Sequence, residues 1–304
     1  MSKLRQVSDL DLKLLRSFVE IADRGGFAAA QSTLNISQSV MSEHLKTLEI
    51  RLGFTLCKRG PGGFKLMPEG QEVYKAAQQL FSAIDSFRSH LGDIGDEVSG
   101  ELIIAVEDEV ISNPACRLPE ALRQFTVEVG RRVRFRVEVM VGYQTLSHVA
   151  DGSAQLGISA SDARARDVCL HRLFDETVLL YCATGHPLFG LPDGQITEAQ
   201  IAEQPYASRG HLELKDLARI THGFRLGDVG LGAQAQLALV LSGRDVGYLP
   251  AHLVKPLVEQ GRMRAIRPDL TRRVIPVNVA TRDSGPHIKL VSRLRACLIA
   301  VHDE

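Results

Sequence analysis

Gln38, Ser39, Ser42, Glu43 and Lys46 recur at steps that a 3.6-residue helical period gathers onto one side of a helix. An amide, hydroxyls, a carboxylate and an ammonium in that array offer hydrogen-bond donors and acceptors to a groove. With these they can read hydrogen-bonding edges. Glutamine makes a two-point contact with adenine, and serine donates or accepts at several base edges. Lys46, with Lys58, Arg59 and Lys65 further along, suits phosphate, because each neutralised phosphate releases condensed counterions. Gln38 and Ser42 also have a local reading, as capping or helix-supporting residues. His44 reads as a DNA-facing or local polar group, not as a metal ligand. Elsewhere the chain has no GxGxxG or Walker sequence, no HExxH, and no nucleophile motif that joins serine, histidine and acid. No catalytic residue and no metal ligand set is assigned.

The elements that must position this chemistry are short and punctuated. Leu12, Leu15, Phe18, Val19 and Ala22 form one apolar helix face, ended by Gly25-Gly26, and a second helix spans Phe27 to Leu34. Ser37 is a candidate N-cap. Val40, Met41, Leu45, Leu48 and Leu52 then carry a third helix to Gly53, where glycine stops it. Three helices on tight turns are a minimal unit for placing one helix in a DNA major groove. Phe54–Arg59 reads as a strand, residues 60–63 as a turn and Phe64–Leu66 as the return. This ribbon is either a wing that presents Lys58, Arg59 and Lys65 to DNA or an ordinary hairpin with solvated bases. Pro68 fits the first turn of a long helix to Leu91. Along it Val73, Ala77, Leu80, Ile84, Phe87 and Leu91 repeat at alternating steps of four and three, the spacing of a dimerising seam. The other reading is a helix packed on its own domain.

From Gly100 the pattern becomes α/β. Leu102–Val106 is a continuous apolar run of the buried parallel kind, and a helix is expected over Asn113–Phe125. A charged, alternating strand over Arg132–Val139, a helix over Tyr143–Ala150 and a strand over Gln155–Ile158 follow. Further strands are expected at Thr177–Cys182, Gly247–Leu249 and Ile275–Ala280, a short helix and strand within Leu257–Ile266, and a final helix over 286–301.

With 304 residues, 44% hydrophobic and 24% charged, the chain has the length for two globular domains. Its 36 basic and 36 acidic residues cancel, but residues 1–91 hold 12 Lys/Arg against 9 Asp/Glu. The absence of a secretion-like start or a long apolar run leads us to expect a cytoplasmic protein with no membrane partner. Five cysteines at wide spacing read as incidental thiols, with a Cys169/Cys182 redox pair as the alternative.

SQSVMSEHLKTLEIRLGFTLCKR at 37–59 resembles the signature of the LysR-type transcriptional regulators. So do FAAA at 27–30, the wing and MPEG at 67–70. In the rear portion, GELIIAV at 100–106, GSAQLGI at 152–158, GHPL at 185–188 and GRDVGYLP at 243–250 resemble that family's sensor landmarks. Ser39, Cys57 and Met67 depart from the usual residues.

The resemblance implies a protein that is α/β overall. It comprises an N-terminal winged helix-turn-helix over 1–66, a linker helix over 67–91, and a two-lobed α/β periplasmic-binding-protein-like effector domain over 92–304. Lobe one would take about 100–165 and 270–304, and lobe two about 166–269. It also implies a ligand-responsive regulator, not an enzyme, whose partners are double-stranded promoter DNA, itself as homodimer or homotetramer, a small-molecule effector and RNA polymerase. No cofactor is implied. The effector would be small and polar or carboxylate-bearing. Mapped onto the family fold, Ser112, Tyr143, Thr145, Ser208, Arg209 and Asp228 would contact it, the hydroxyls serving a carboxylate or other anion. Glu107, Asp108 and Glu109 complicate a purely anionic ligand. They would repel it, bind an amine on it, or face solvent. A constitutive architectural DNA-binding protein is the other reading, separable by ligand-dependent footprints.

Overall fold

The computed structural model describes residues 6–34, 36–60, 63–94, 100–160, 167–210, 224–285 and 287–303. The side chains of Arg59 and Leu91 lie outside the described set. Two units follow each other along the chain, Met1–Phe87 and Arg88–Glu304.

In the first unit, α1 (Asp9–Asp23), α2 (Phe27–Leu34) and α3 (Gln38–Leu52) precede β1 (Cys57–Gly60), β2 (Gly63–Leu66) and α4 (Pro68–Ile94). Ser37 caps α3, its hydroxyl accepting from the Val40 N–H at 3.3 Å, and Gly53 closes the helix in the left-handed region at φ 89°. β1 is shorter than the run from Phe54 suggested, and both ends of the expected turn, Gly60 and Gly63, belong to the antiparallel pair. The core joins Leu14, Leu15 and Phe18 of α1 to Leu45 and Leu48 of α3, with Leu56, Cys57 and Ala77.

The acid Asp11 is also fully buried here. It accepts from Arg51 at 2.5 Å and 2.8 Å and from the Ser8 N–H and hydroxyl at 2.9 Å and 2.6 Å. The Arg51 guanidinium holds its carboxyl down at about 2.

The second unit is one seven-stranded sheet shared by two lobes. β3 (Gly100–Glu107) lies between β4 (Val133–Met140) and β5 (Leu156–Ser159), parallel to both. Next come β11 (Arg273–Arg282) and β6 (Val168–Ala183), antiparallel to each other over the whole of β11 and Val168–Val178 of β6. The far half of β6 pairs with β9 (Gly247–Pro250) and β10 (Met263–Ala265). β6 and β11 therefore run from one lobe into the other. Helices α5 (Leu118–Val129) and α11 (Ile288–Asp303) cover one face of lobe one, and α6 (Gly142–Asp151) the other. Lobe two adds α7 (Glu198–Ala202), parallel strands β7 (Pro205–Ser208) and β8 (Arg225–Val229), α8 (Ala233–Leu241), α9 (Ala251–Glu259) and α10 (Pro268–Thr271).

Three expectations are corrected. α5 starts at Leu118 rather than Asn113, because the Asn113 side chain accepts from the Ala115 N–H at 2.9 Å and holds a turn there, leaving Pro119 in the first turn of the helix. β6 begins at Val168, well before Thr177. Cys169 and Cys182 stand near opposite ends of that strand, which at ~3.3 Å per residue puts them roughly 40 Å apart, far beyond disulfide reach.

Candidate nucleic-acid interface and effector site

On α3 the buried residues Met41, Leu45 and Leu48 define the inner face. Gln38, Ser39, Glu43 and Lys46 project from the other side and are exposed, and Ser42 is half-buried. The Ser39 hydroxyl sits 2.8 Å from that of Ser37, so it takes part in the cap. His44 is half-buried and bonded through Nδ1 to the Ser17 hydroxyl at 2.8 Å, a local contact between α3 and α1. Burial, with the charge of Lys13, pushes its pKa below the usual histidine value. Lys58 and Lys65 are exposed and face each other in register across β1 and β2.

Along α4 the apolar repeat divides. Ala77 is buried in the first unit's own core, with Val73 and Leu80 packed against it. Tyr74 donates to Asp23, and the Arg16 guanidinium lies 5.2 Å from the centre of the Phe81 ring. The early part of the stripe is thus committed to its own unit. Ile84 is half-buried, while Phe87 is 64% exposed.

In the second unit the end of β3 meets lobe two through acids. Glu107 is buried beneath the first turn of α6. Its Oε2 accepts from the Ser159 hydroxyl and the Ala160 N–H, each at 2.8 Å, and a Cβ on Gly142 would stand 2.5 Å from Oε1. Asp108 reaches across to the start of α8, where its Oδ2 accepts from the Ala233 N–H at 2.8 Å. Gly232, at φ 85°, lies so close that a Cβ would come within 2.6 Å of that oxygen. Glu109 is buried and ion-paired with Arg209 of the other lobe, and Arg209 Nε donates to Gln236 Oε1 at 2.9 Å. Burial, aided by the charges of Glu107 and Asp108, pushes the Glu109 carboxyl upward against the pull of Arg209. The Glu109 carbonyl lies 3.1 Å from His252 Nε2, and His252 Nδ1 lies 3.4 Å from Glu176 Oε1, which also accepts from Asn113 Nδ2 at 2.8 Å. Burial lowers the pKa of His252 and raises that of Glu176.

Of the residues expected at the effector site, Ser112 and Arg209 come together around Glu109, the Ser112 hydroxyl donating to the Glu109 carbonyl at 2.9 Å. Thr145 and Ser208 are fully buried, and their hydroxyl oxygens have no hydrogen-bond partner. Tyr143 is exposed, and Asp228 lies 3.7 Å from Arg244. Glu107 and Glu109 are buried and Asp108 is half-buried, so the two glutamates do not face solvent. Gln236, His252 and Glu176 were not singled out from the sequence. Gly232 before an apolar helix run was the signal available for the Asp108 contact.

A winged helix-turn-helix joined by a long helix to a two-lobed α/β sensor defines a ligand-responsive DNA-binding protein. The family descriptions "Bacterial regulatory helix-turn-helix protein, lysR family" and "LysR substrate binding domain" match residues 12–71 and 95–303. The HTH-type transcriptional activator BauR of Pseudomonas aeruginosa is 32% identical over 299 residues, covering 98% of this chain and 97% of that protein. AllS of Klebsiella pneumoniae, also an HTH-type transcriptional activator, is 27% identical over 281 residues, covering 88% and 98%. The LysR-family regulator CbnR superposes with a TM-score of 0.60 at 18% identity, covering 96% of this chain and 99% of that one. CbnR complexed with its target DNA superposes at 0.58 and 19%, covering 94% and 98%.

This chain belongs to the LysR family of transcriptional regulators. It is a ligand-responsive DNA-binding regulator of transcription, of a family whose members are DNA-binding proteins and not enzymes. Among the described residues no helix is long and apolar enough to cross a membrane.

Proposed function

We propose that this regulator binds promoter DNA as a homodimer or homotetramer and that a small polar effector held between the sensor lobes changes the geometry of the DNA complex. Gln38, Ser39, Ser42, Glu43 and Lys46 would read the groove, while Lys58, Arg59 and Lys65 hold phosphate. Self-association would use the later part of the α4 stripe, Ile84, Phe87 and Leu91, since Val73, Ala77 and Leu80 are engaged within their own unit. The effector would meet Ser112, Tyr143 and Thr145 from lobe one and Ser208 and Arg209 from lobe two, with Asp228 more remote beside Arg244. BauR and AllS are described as activators, which supports activation here, with RNA polymerase as the partner at the promoter.

The observation that carries this reading is the set of contacts by which Asp108, Glu109 and Asn113 of lobe one reach α8, Arg209 and Glu176. A ligand with different contacts at that junction shifts the balance of two lobe arrangements by its differential affinity. Footprinting and bending of promoter DNA by the full-length protein, with and without compounds that raise its melting temperature, test it. The expected result is altered protection or bending, with the compound recovered unchanged by mass analysis. Sustained turnover of the compound, or stabilising compounds that leave the DNA complex untouched, would overturn the assignment.

A further inference from the structure

The wing leaves the helices of the first unit through one residue, Leu56, that is held from two sides. Leu56 is fully buried and directly precedes β1. Its N–H donates to Glu49 Oε1 of α3 at 2.7 Å. Its carbonyl accepts the Met67 N–H at 2.9 Å, just ahead of α4. Gly70, in the first turn of α4, lies so close that there is no room for a Cβ beside that carbonyl oxygen. Glu49 also acts at the start of the connecting loop, where its own carbonyl accepts the Gly53 N–H at 2.8 Å. One residue of α3 thus fixes both ends of residues 53–56.

A separate contact keeps the ribbon on its unit. The Phe64 ring of β2 packs edge-on against Phe27 of α2, with centroids 6.2 Å apart, and joins two of the unit's apolar clusters. Apolar packing is non-directional, whereas a hydrogen bond to a backbone amide fixes an angle. Loss of the Glu49 acceptor would leave the Leu56 N–H buried without a partner, which costs more than turning it toward water. With its carbonyl pinned from α4, that turn rotates Leu56 about the pin, and β1, which starts at Cys57, rotates with it. Lys58 and its cross-strand neighbour Lys65 then point elsewhere, although the ribbon still packs through Phe64.

We infer that Glu49 is the positioning residue of the wing: through the Leu56 amide it sets the angle at which Lys58 and Lys65 stand to α3, and so the phosphate contacts they make. This rests on the reading of those lysines as phosphate contacts above. Glu49 acts through the wing and not as a DNA contact of its own. Its side chain is half-buried, its carboxylate is engaged with the Leu56 amide, and its charge is the wrong one for phosphate. Replacing the carboxylate also removes a negative charge close to the DNA-binding elements, which by itself favours binding. Gln and Ala remove that charge alike, but only Gln keeps an acceptor oxygen at the same reach for the Leu56 N–H. The pair Glu49→Gln and Glu49→Ala therefore separates the position of the wing from the charge.

The test is binding of the full-length protein to a duplex of arbitrary sequence across a range of salt, since phosphate contacts do not depend on the bases. Glu49→Gln should keep the wild-type slope of log affinity against log salt. Glu49→Ala should fall below it by about 0.9 for each wing base withdrawn from its phosphate. A second arm repeats both variants with Lys58→Ala, Arg59→Ala and Lys65→Ala together, Arg59 being included because it too is assigned to phosphate. There the step from Gln to Ala should change the affinity less than about two-fold, because no wing base is left to position. A purely structural role would instead weaken binding by the same factor in both backgrounds.

Equal salt slopes for Glu49→Ala and Glu49→Gln, or equal losses of affinity from Gln to Ala with and without the three wing bases, would each overturn it. If Glu49→Ala fails to fold, Glu49→Asp takes its place. That variant keeps the charge but is one methylene short of the Leu56 amide, so a reduced slope supports the inference and a wild-type slope overturns it. The two readings can also fail separately. A wild-type slope in the variant lacking all three wing bases would remove the wing from the interface, and the role of Glu49 with it. A reduced slope there, beside equal slopes for the two Glu49 variants, would sink the role of Glu49 alone.

Discussion

Lys58 and Lys65 stand directly opposite one another across the paired strands of the wing, both exposed. Like charges in opposed positions destabilise a two-stranded ribbon. A phosphate between or beside them turns that repulsion into a gain. Lys58→Ala and Lys65→Ala should each weaken binding to specific and scrambled duplexes alike, and each should reduce the slope of log affinity against log salt by about 0.9. A slope that stays at the wild-type value in both variants would remove the wing from the interface.

Gln38 differs from the lysines in what it can distinguish. It is exposed at the first position of α3, clear of the buried Met41, Leu45 and Leu48. Gln38→Ala should cost ~1–3 kcal/mol on the specific duplex and little on a scrambled one, since a base-edge contact carries the sequence information that phosphate contacts lack. Competition titrations read the difference, and equal losses on both duplexes would make Gln38 a non-specific contact.

The elements around these residues could be read ahead of the structure to the extent that their signals are local. Ser37 and Gly53 bracket α3 because a cap and a left-handed stop act within a few residues. The same logic misplaced α5, where Asn113 and Pro114 form a turn that apolar periodicity alone does not reveal. The first half of β6, Val168–Asp175, alternates with charge and escaped notice, and short β7 and β8 gave no run long enough to count. The site was harder still. Glu109 and Arg209 are 100 positions apart, so their pairing exists only once β3 and β7 are placed, and no spacing rule connects them. The α4 stripe had the right period, but period does not say whether a face meets its own unit or a partner, and here its early part meets its own unit.

Asp11 ties α1 to α3 through Arg51, and its effect on stability has a definite sign. Its folded pKa of about 2 lies below the ordinary 3.8, so the stabilisation is fully present above pH 3.8 and is lost as pH falls toward 2. Asp11→Asn should remove this acid sensitivity from the unfolding of residues 1–87. Because Arg51 is partly exposed, the cost at neutral pH should be roughly 1–3 kcal/mol, that of charged hydrogen bonds without full burial of both partners. Identical acid-unfolding curves for variant and wild type would show that the pair contributes nothing.

Leu80 and Phe87 share one apolar repeat but occupy different surroundings. Leu80→Asp places a carboxylate against the core of the first unit and should lower its melting temperature. Phe87→Asp changes an exposed side chain and should leave that melting temperature within error, while shifting the protein to smaller species in sedimentation at low concentration. An unchanged assembly mass for Phe87→Asp would exclude this stretch as the self-association surface. An unchanged melting temperature for Leu80→Asp would contradict its packing within the unit.

Asp108 supplies the remaining test, because it satisfies the start of α8 from the opposite lobe. Its Oδ2 accepts the Ala233 N–H at 2.8 Å, with Gly232 allowing the close approach, so a helix in lobe two is capped by a side chain of lobe one. Asp108→Ala should cost about 1 kcal/mol, the typical value of a lost cap, and that cost falls on the contact between lobes. The Ala233 amide should exchange its hydrogen faster, while amides in the middle of β3 and β11 keep their protection. The lobe arrangement that this contact favours should become less populated, so the variant's DNA bend without added ligand should shift toward that of the liganded wild type. Exchange at Ala233 equal to wild type would show that the cap does not hold the lobes. Faster exchange with an unchanged bend would separate lobe closure from the geometry of the DNA complex.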